Sequence, residues 1–362
     1  MTRRPDNTSR WCTFQRDLLV LLACASALAC TGTTRDPDSI ASARGPRARQ
    51  AAGTAASTGS LSWSAGGGSG SVDAEDASVE PELGVIEHDG KYVLDLGAAE
   101  LQIDAAHGAR ITHFGHGDRN MLSGPEVDAL SWGSTFWPSP QRSWTWPPVP
   151  ELDSEPYSVS AEGGGVAFTS QAGERARVSV KKRVLPTALP GTVDVEYTLV
   201  NHDSEPATWA PWEITRVLPE GLTFFPSGET HVDTALPVEQ RDGISWYQHV
   251  PARITGAGQR FSGDGHGGWL AHAAGRTLLL KQWSDVPVAE QAPAPEAEIA
   301  LYAAPGYVEL EAQGVYTRLL PEQSIVWTVR WSSHEIPDGV SVEVGSAALL
   351  ELAQRMAANS AR

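Results

Sequence analysis

Between residues 191 and 201 the chain reads GTVDVEYTLVN, with Val193, Val195, Tyr197 and Leu199 on one side and Asp194, Glu196 and Thr198 on the other. Strict period-two alternation of this kind is the mark of a half-buried strand. The same texture returns in KYVLDLGAAELQID, GGVAFTSQ, ARVSVKKRV, RTLLLKQW, GYVELEAQ and SIVWTVRW, all beyond Glu82. Turn signals such as HDG, EGGG, LPG, PEG, RDG and PDG separate these runs. Only SAALLELAQRMAA carries helical spacing. There Leu349, Leu352, Ala353 and Met356 form one stripe, and Ser346 stands at the N-cap position. Roughly 260 residues of short strands predict one large all-β sandwich or barrel over 82–340, followed by a short C-terminal helix and tail over 341–362. The absence of a fixed-period repeat argues against a propeller.

The chain before this region has a different character. Residues 1–30 place Arg3, Arg4, Arg10 and Arg16 ahead of LLVLLACASALAC, an apolar run too short to span a bilayer and rich in small residues at its end. This predicts a secretion signal. All three cysteines, Cys12, Cys24 and Cys30, lie within it, so an exported domain would hold itself together by its core rather than by disulfides. A cysteine closing the apolar run resembles the lipobox of bacterial lipoproteins. The resemblance implies lipidation at Cys30, with Cys24 as second choice, although Ala27 stands where that motif usually has leucine. A plain signal peptide is the other reading. Residues 31–81 are Ser, Gly, Ala and Thr with scattered charge, a composition that cannot bury enough surface to offset the entropy of ordering. They read as a flexible linker, and the whole as a lipid-anchored protein of the cell envelope, on a periplasmic or outer-membrane face.

Charge excludes one class of partner. The net charge is −17, and eight of the 27 basic residues fall in the first 50, so the folded part is more acidic still. Nucleic-acid binding needs a basic footprint, and none is present. The local run KKRV at 181–184 reads as the solvated face of a strand. The membrane is expected as a partner only through a lipid anchor.

One segment resists the strand reading. STFWPSPQRSWTWPPVP, residues 134–150, sets Phe136, Trp137, Trp144 and Trp146 among five prolines. Proline removes a backbone donor and fixes φ, so the stretch is expected to be neither a helix nor a central strand. Indole rings match the flat C–H patches of sugars, while nearby amides and guanidinium groups match hydroxyls. Trp137, Trp144 and Trp146 are therefore candidate stacking platforms, with Gln141 and Arg142 as hydrogen-bonding partners. The competing reading is that these rings plug one end of a large sandwich.

Three further stretches carry a resemblance. LQIDAAHGARITHFGHGDRNMLSG at 101–124 resembles the opening hairpin of the aldose 1-epimerase (galactose mutarotase) superfamily. PSPQR at 138–142 is similar to the Pro-x-Pro-Asn-Arg run beside its sugar pocket, and YVELEAQGVYTRLLPEQSIVWTVRW at 307–331 resembles its closing strand pair. The resemblance spans roughly 85–335, and it implies a β-supersandwich. The W-P-S-P-Q and W-P-P runs resemble more nearly a bacterial domain family of unknown function within that superfamily.

What the resemblance implies about chemistry is mixed. The superfamily's base is a glutamate in Leu-Glu-x-Gln, a position that Glu311 occupies in LEAQ. Its acid is a histidine about a dozen residues after a strand-ending Asn. Counting from Asn201 leads instead to Trp212 and Glu213. Ring opening needs a base at O1 and an acid at the ring oxygen. Glu213 could take the second role if it shared a site with Glu311, since neighbouring carboxylates do not both ionise readily. Alternatively, Trp212 and Glu213 form a binding surface in a domain that has lost chemistry. Lys281, in LLLKQW, is a candidate pocket cation or a mere flank of Trp283. His113, His116 and Asp118 in HFGHGD, and Asp264 with His266 in SGDGHGG, have spacings a metal could use but no closed ligand set, and no metal or other cofactor is expected. Two functions follow: a carbohydrate-binding domain without turnover, or an aldose epimerase with Glu311 as base. A scaffold for another protein is a third.

Overall fold

The computed structural model describes residues 85–88, 90–116 and 119–360. The signal segment, the linker, Cys24, Cys30 and Asp118 lie outside the described residues. The chain begins with β1 (Val85–His88), β2 (Lys91–Asp95), β3 (Glu100–Asp104), β4 (Arg110–Gly115) and β5 (Ser134–Ser139). A short helix α1 (Pro150–Asp153) precedes β6 (Ser158–Glu162), β7 (Gly165–Thr169), β8 (Val178–Pro186), β9 (Thr192–Asn201) and β10 (Ala207–Val217). Next come β11 (Leu222–Thr234), β12 (Glu239–Arg241), β13 (Ile244–Gln248), β14 (Gln259–Gly265) and β15 (Trp269–Ala274). The last strands are β16 (Thr277–Gln282), β17 (Ile299–Ala303), β18 (Val308–Gln313), β19 (Thr317–Leu319) and β20 (Ser324–Glu335), followed by helix α2 (Ala347–Ser360).

Two large antiparallel sheets result. The first runs β1–β2–β3–β4–β5–β10–β18–β17–β14–β11. The second runs β6–β7–β8–β9–β20–β16–β15–β11–β13–β12. Strand β11 belongs to both. Its residues from Leu222 pair with β13 and β15, and those from Ser227 pair with β14. A long strand that changes sheets turns two layers into one sandwich.

Each sheet turns an apolar face to the other. Val193, Val195, Tyr197 and Leu199 of β9 are buried there, as their alternation predicts. Tyr197 stacks on Phe136 of β5 at 4.3 Å between ring centroids, and Phe114 of β4 meets Trp331 of β20 edge-on at 5.2 Å. A second apolar cluster covers the outer side of the second sheet, where Leu349, Ala353 and Met356 of α2 pack with Leu278, Leu280, Phe224 and Trp246. Strand β16 is therefore buried on both faces, which is why TLLL reads as an unbroken apolar run. Ser346 accepts from Leu349 N at the start of α2, in the capping role its position predicts.

Two local expectations are corrected. STFWPS is a strand after all: β5 is fully buried and lies between β4 and β10. It tolerates its proline because Pro138 stands directly opposite Pro211, so two residues without N–H are paired with each other. In KKRV only Lys181 and Arg183 face outward, paired with Glu162 and Glu196. Lys182 shares the inward face of Val180 and Val184. Its ammonium donates to the carbonyls of Gly108 and Ala109 at 2.7 and 2.9 Å. Burial, with Arg110 adding to it, lowers this lysine to about 7.

Candidate functional site

Cross-strand register builds the outer face of the first sheet. Residues directly opposed in an antiparallel pair share a face. Trp212 opposes Trp137 on β5 and Gln313 on β18, and Ile214 opposes Glu311. Ala300 opposes Glu311, and Tyr302 of β17 opposes Arg260 of β14, so the same face continues across two more strands. Trp137, Trp212, Glu311, Gln313 and Arg260 are thereby gathered from four strands.

Glu311 is only 1% exposed and accepts three hydrogen bonds. Arg260 grips it with both terminal nitrogens, at 3.0 Å to Oε1 and 2.8 Å to Oε2, and the Trp212 indole donates to Oε2 at 3.0 Å. This is the fork-on-fork geometry that makes Arg–carboxylate pairs strong. Burial alone would lower the Arg260 guanidinium, but Glu311, Glu296 and Glu309 together raise it above its usual value. Glu309, two residues back on the same face, is held by Arg216 Nε at 2.9 Å. Burial raises the Glu309 carboxyl, and Glu311 adds to that, against the opposing pull of Arg216. Gln313 donates to Glu296 Oε2 at 3.0 Å, and the other oxygen of Glu296 accepts from the Gln141 backbone at 3.2 Å. That leaves the Gln313 Oε1 acceptor buried without a partner.

The proline-rich segment closes over this face. Trp137 is the hub of an indole cluster, edge-on to Trp144, Trp146 and Trp212 with centroids 5.8, 6.3 and 5.4 Å away. Its Nε1 donates to Asp153 of α1 at 2.9 Å, and Trp144 Nε1 donates to Pro138 O at 2.7 Å. Trp137 and Trp144 are buried, whereas Trp146 is 54% exposed, so of the three expected platforms only Trp146 offers its ring to solvent. Arg142 donates to the carbonyls of Pro293 and Ala294, tying this loop to the segment before β17. Arg175 reaches the carbonyls of Trp144, Thr145, Pro147 and Pro148 at 2.7–3.3 Å. The stiffness of the loop thus comes from guanidinium staples as well as from proline.

Glu213 does not join Glu311. It follows Trp212 on β10 and points to the opposite face, into the core between the sheets, so the expected pair of carboxylates is absent. There Glu213 Oε2 meets Lys281 Nζ at 2.6 Å, while Oε1 accepts from Tyr197 Oη at 2.5 Å and Trp331 Nε1 at 3.0 Å. Lys281 also donates to Thr215, which hydrogen-bonds Ser134. Burial lowers Lys281 while Glu213 counteracts it, and burial with Glu213 raises Tyr197 far above the usual phenol range. Lys281 is therefore a core cation and not a pocket group. Arg260, Arg216, Asp153 and Glu296 went unnoticed in the sequence. Arg260 is 51 positions from its partner, and its sole local signal is its place on the polar side of QRFSG. Among the described residues no group of three or more His, Cys, Asp or Glu is placed to hold a metal.

Cavities open elsewhere among the described residues. One of about 280 Å³ lies beside Tyr247 and Arg253, one of about 410 Å³ beside Asp264 and His266, and one of about 530 Å³ beside His113 and Trp132.

No family model matches the chain, and no curated protein matches it in sequence. Solved structures do. The Slr1438 protein from Synechocystis sp. PCC 6803 is 12% identical with a TM-score of 0.50, over 71% of this chain and 97% of that one. A TPR-domain containing protein from Parabacteroides distasonis is also 12% identical, TM-score 0.49, over 71% of this chain but only 49% of its own length. A galactose mutarotase-like protein from Lactobacillus casei is 13% identical, TM-score 0.46, over 68% of this chain and all of that one. At such identities the likeness concerns the fold alone, an all-β supersandwich with a short C-terminal helix.

Proposed function

We propose that this chain is a carbohydrate-binding domain on an aldose-epimerase-like sandwich, without epimerase activity, and that lipidation at Cys30 holds it at the cell envelope. One observation carries the reading. The carboxylate that occupies the superfamily's base position already accepts three donors, two from Arg260 and one from Trp212. A general base must be free to take the anomeric proton, and an acid must stand at the ring oxygen. Glu213, the candidate acid, lies on the other side of the sheet. The exposed Trp146 ring, suited to the flat C–H face of a sugar, stands edge-on to Trp137 in the same cluster. The ligand class is a mono- or oligosaccharide.

The test is exchange NMR on the full chain with a panel of aldoses. Line broadening without faster anomer interconversion is the expected result. Acceleration that disappears in Glu311→Gln would overturn the reading and make the chain an epimerase in which Arg260 releases its carboxylate. Silence in both respects would point to a protein partner instead.

A further inference from the structure

The cavity of about 530 Å³ lies at the β2–β4 end of the first sheet, apart from Glu311. Its size falls within the range of small-ligand sites. Lys91, Gln102, His107, His113 and Trp132 line it. Trp132 is held firmly. The Arg110 guanidinium stacks on its ring, 4.5 Å from the centroid, and donates to the carbonyls of Leu130 and Trp132 at 3.2 and 3.3 Å. The next residue, Gly133, has φ +59°, and a Cβ there would come within 2.5 Å of Ile111 O, so the backbone that presents the indole is locked.

The polar groups around the ring are unevenly used. Asp104 is spent locally, accepting from Ala106 N at 3.0 Å and pairing with His107 Nδ1 at 2.9 Å. Asn120 is spent as well, bonding Thr112 O and the amides of Phe114 and Leu122. Lys91, by contrast, has no ion pair among the described residues, His107 keeps Nε2 free, and His113 Nε2 is shielded from solvent without a partner. Lys91 is thus a cationic donor left over beside an aromatic plate, while His107, whose Nδ1–H goes to Asp104, donates through Nε2 in its protonated form. Donors with one unpaired cation beside an indole suit a hydroxylated ring that carries a carboxylate.

We propose that this cavity is a separate saccharide site for an acidic sugar, with the pyranose ring on Trp132 and the carboxylate toward Lys91 and His107. The assignment does not rest on the reading of Glu311. Calorimetry and saturation-transfer NMR on the full chain, with the methyl glycosides of glucuronic and galacturonic acids beside those of glucose and galactose, provide the test. At least one uronide binds, roughly tenfold more tightly than its neutral counterpart, since a charge-assisted contact is at stake. Lys91→Met, on an exposed strand end, abolishes that preference, and Trp132→Leu weakens binding by roughly tenfold or more. Glu311→Gln leaves uronide binding unchanged. Failure of both uronides to bind at millimolar concentration overturns the proposal. So does binding indifferent to Lys91→Met and Trp132→Leu, or lost in Glu311→Gln.

Discussion

Trp212 and Glu213 share a peptide bond and serve opposite faces of one sheet. The Trp212 indole donates to Glu311 on the outer face at 3.0 Å, while Glu213 meets Lys281 in the core at 2.6 Å. Because these two carboxylates stand on opposite faces, no proton can pass directly between Glu213 and Glu311. Each of the two has its own cation, Arg260 outside and Lys281 inside.

The inner pair is a stability element. Removing one partner of a buried ion pair strands the other, at a cost of about 3–5 kcal/mol, whereas removing both can be nearly neutral. Lys281→Met is expected to lose stability on that scale in urea unfolding at neutral pH. Combining it with Glu213→Gln recovers more than half of the loss. A double variant no better than the single one would show that Lys281 matters through packing and not through its charge.

The outer pair is graded. Trp212→Phe keeps the ring but deletes one donor to Glu311, for an expected loss of about 1–2 kcal/mol. Arg260→Met removes two donors and the charge. Because Arg260 is 28% exposed, water can enter in its place, and the expected loss is about 2–3 kcal/mol. Equal losses for the two variants in chemical unfolding would contradict this ranking.

Arg175 is the staple of the tryptophan loop. Lysine cannot serve four carbonyls in a planar fork. Arg175→Lys is expected to leave global stability within about 1 kcal/mol while raising protease cleavage between residues 141 and 149. Trp146 emission should broaden as well. Unchanged cleavage would assign the stiffness of the loop to its prolines alone.

His272 sets a pH response. Its Nδ1 lies 2.9 Å from Thr223 Oγ1 and its Nε2 lies 3.2 Å from Glu220 O, an arrangement that suits a neutral ring. Burial lowers it to about 4, with the Glu220 carbonyl opposing and His249 assisting. The unfolded chain, protonating near 6.5, therefore binds more protons than the folded one between these values. Stability is full above pH 6.5 and falls as pH drops toward 4, by up to about 3 kcal/mol from this residue. His113, His249 and His334 are also lowered and act in the same direction. His272→Gln should flatten the slope of stability against pH in that window without abolishing it. An unchanged slope would remove His272 from the account.

Much of the architecture was legible in the residues. Period-two alternation placed β9, a continuous apolar run marked β16, and Ser346 with its stripe marked α2. Side-chain alternation is a local property of extended backbone, so a linear reading captures it. Proline in STFWPS misled the reading, because its usual cost depends on what lies opposite, and Pro211 is 73 positions away. Lys182 misled it for a similar reason: the carbonyls that receive its ammonium belong to another hairpin.

Alternation along the chain was enough to say which residues lie on the same side of each strand, and with that to give the all-β class and the place of Glu311 on a strand. Which strand lies beside which, and therefore which charges meet, is set only when the sheets assemble. Glu311 found Arg260 across neighbouring strands of the first sheet, and Glu213 found Lys281 across the core from the second, both long-range arrangements. Alternation assigns a side chain to a face. The pairing of strands assigns it a partner, and the partner decides whether a carboxylate is a base or half of a salt bridge.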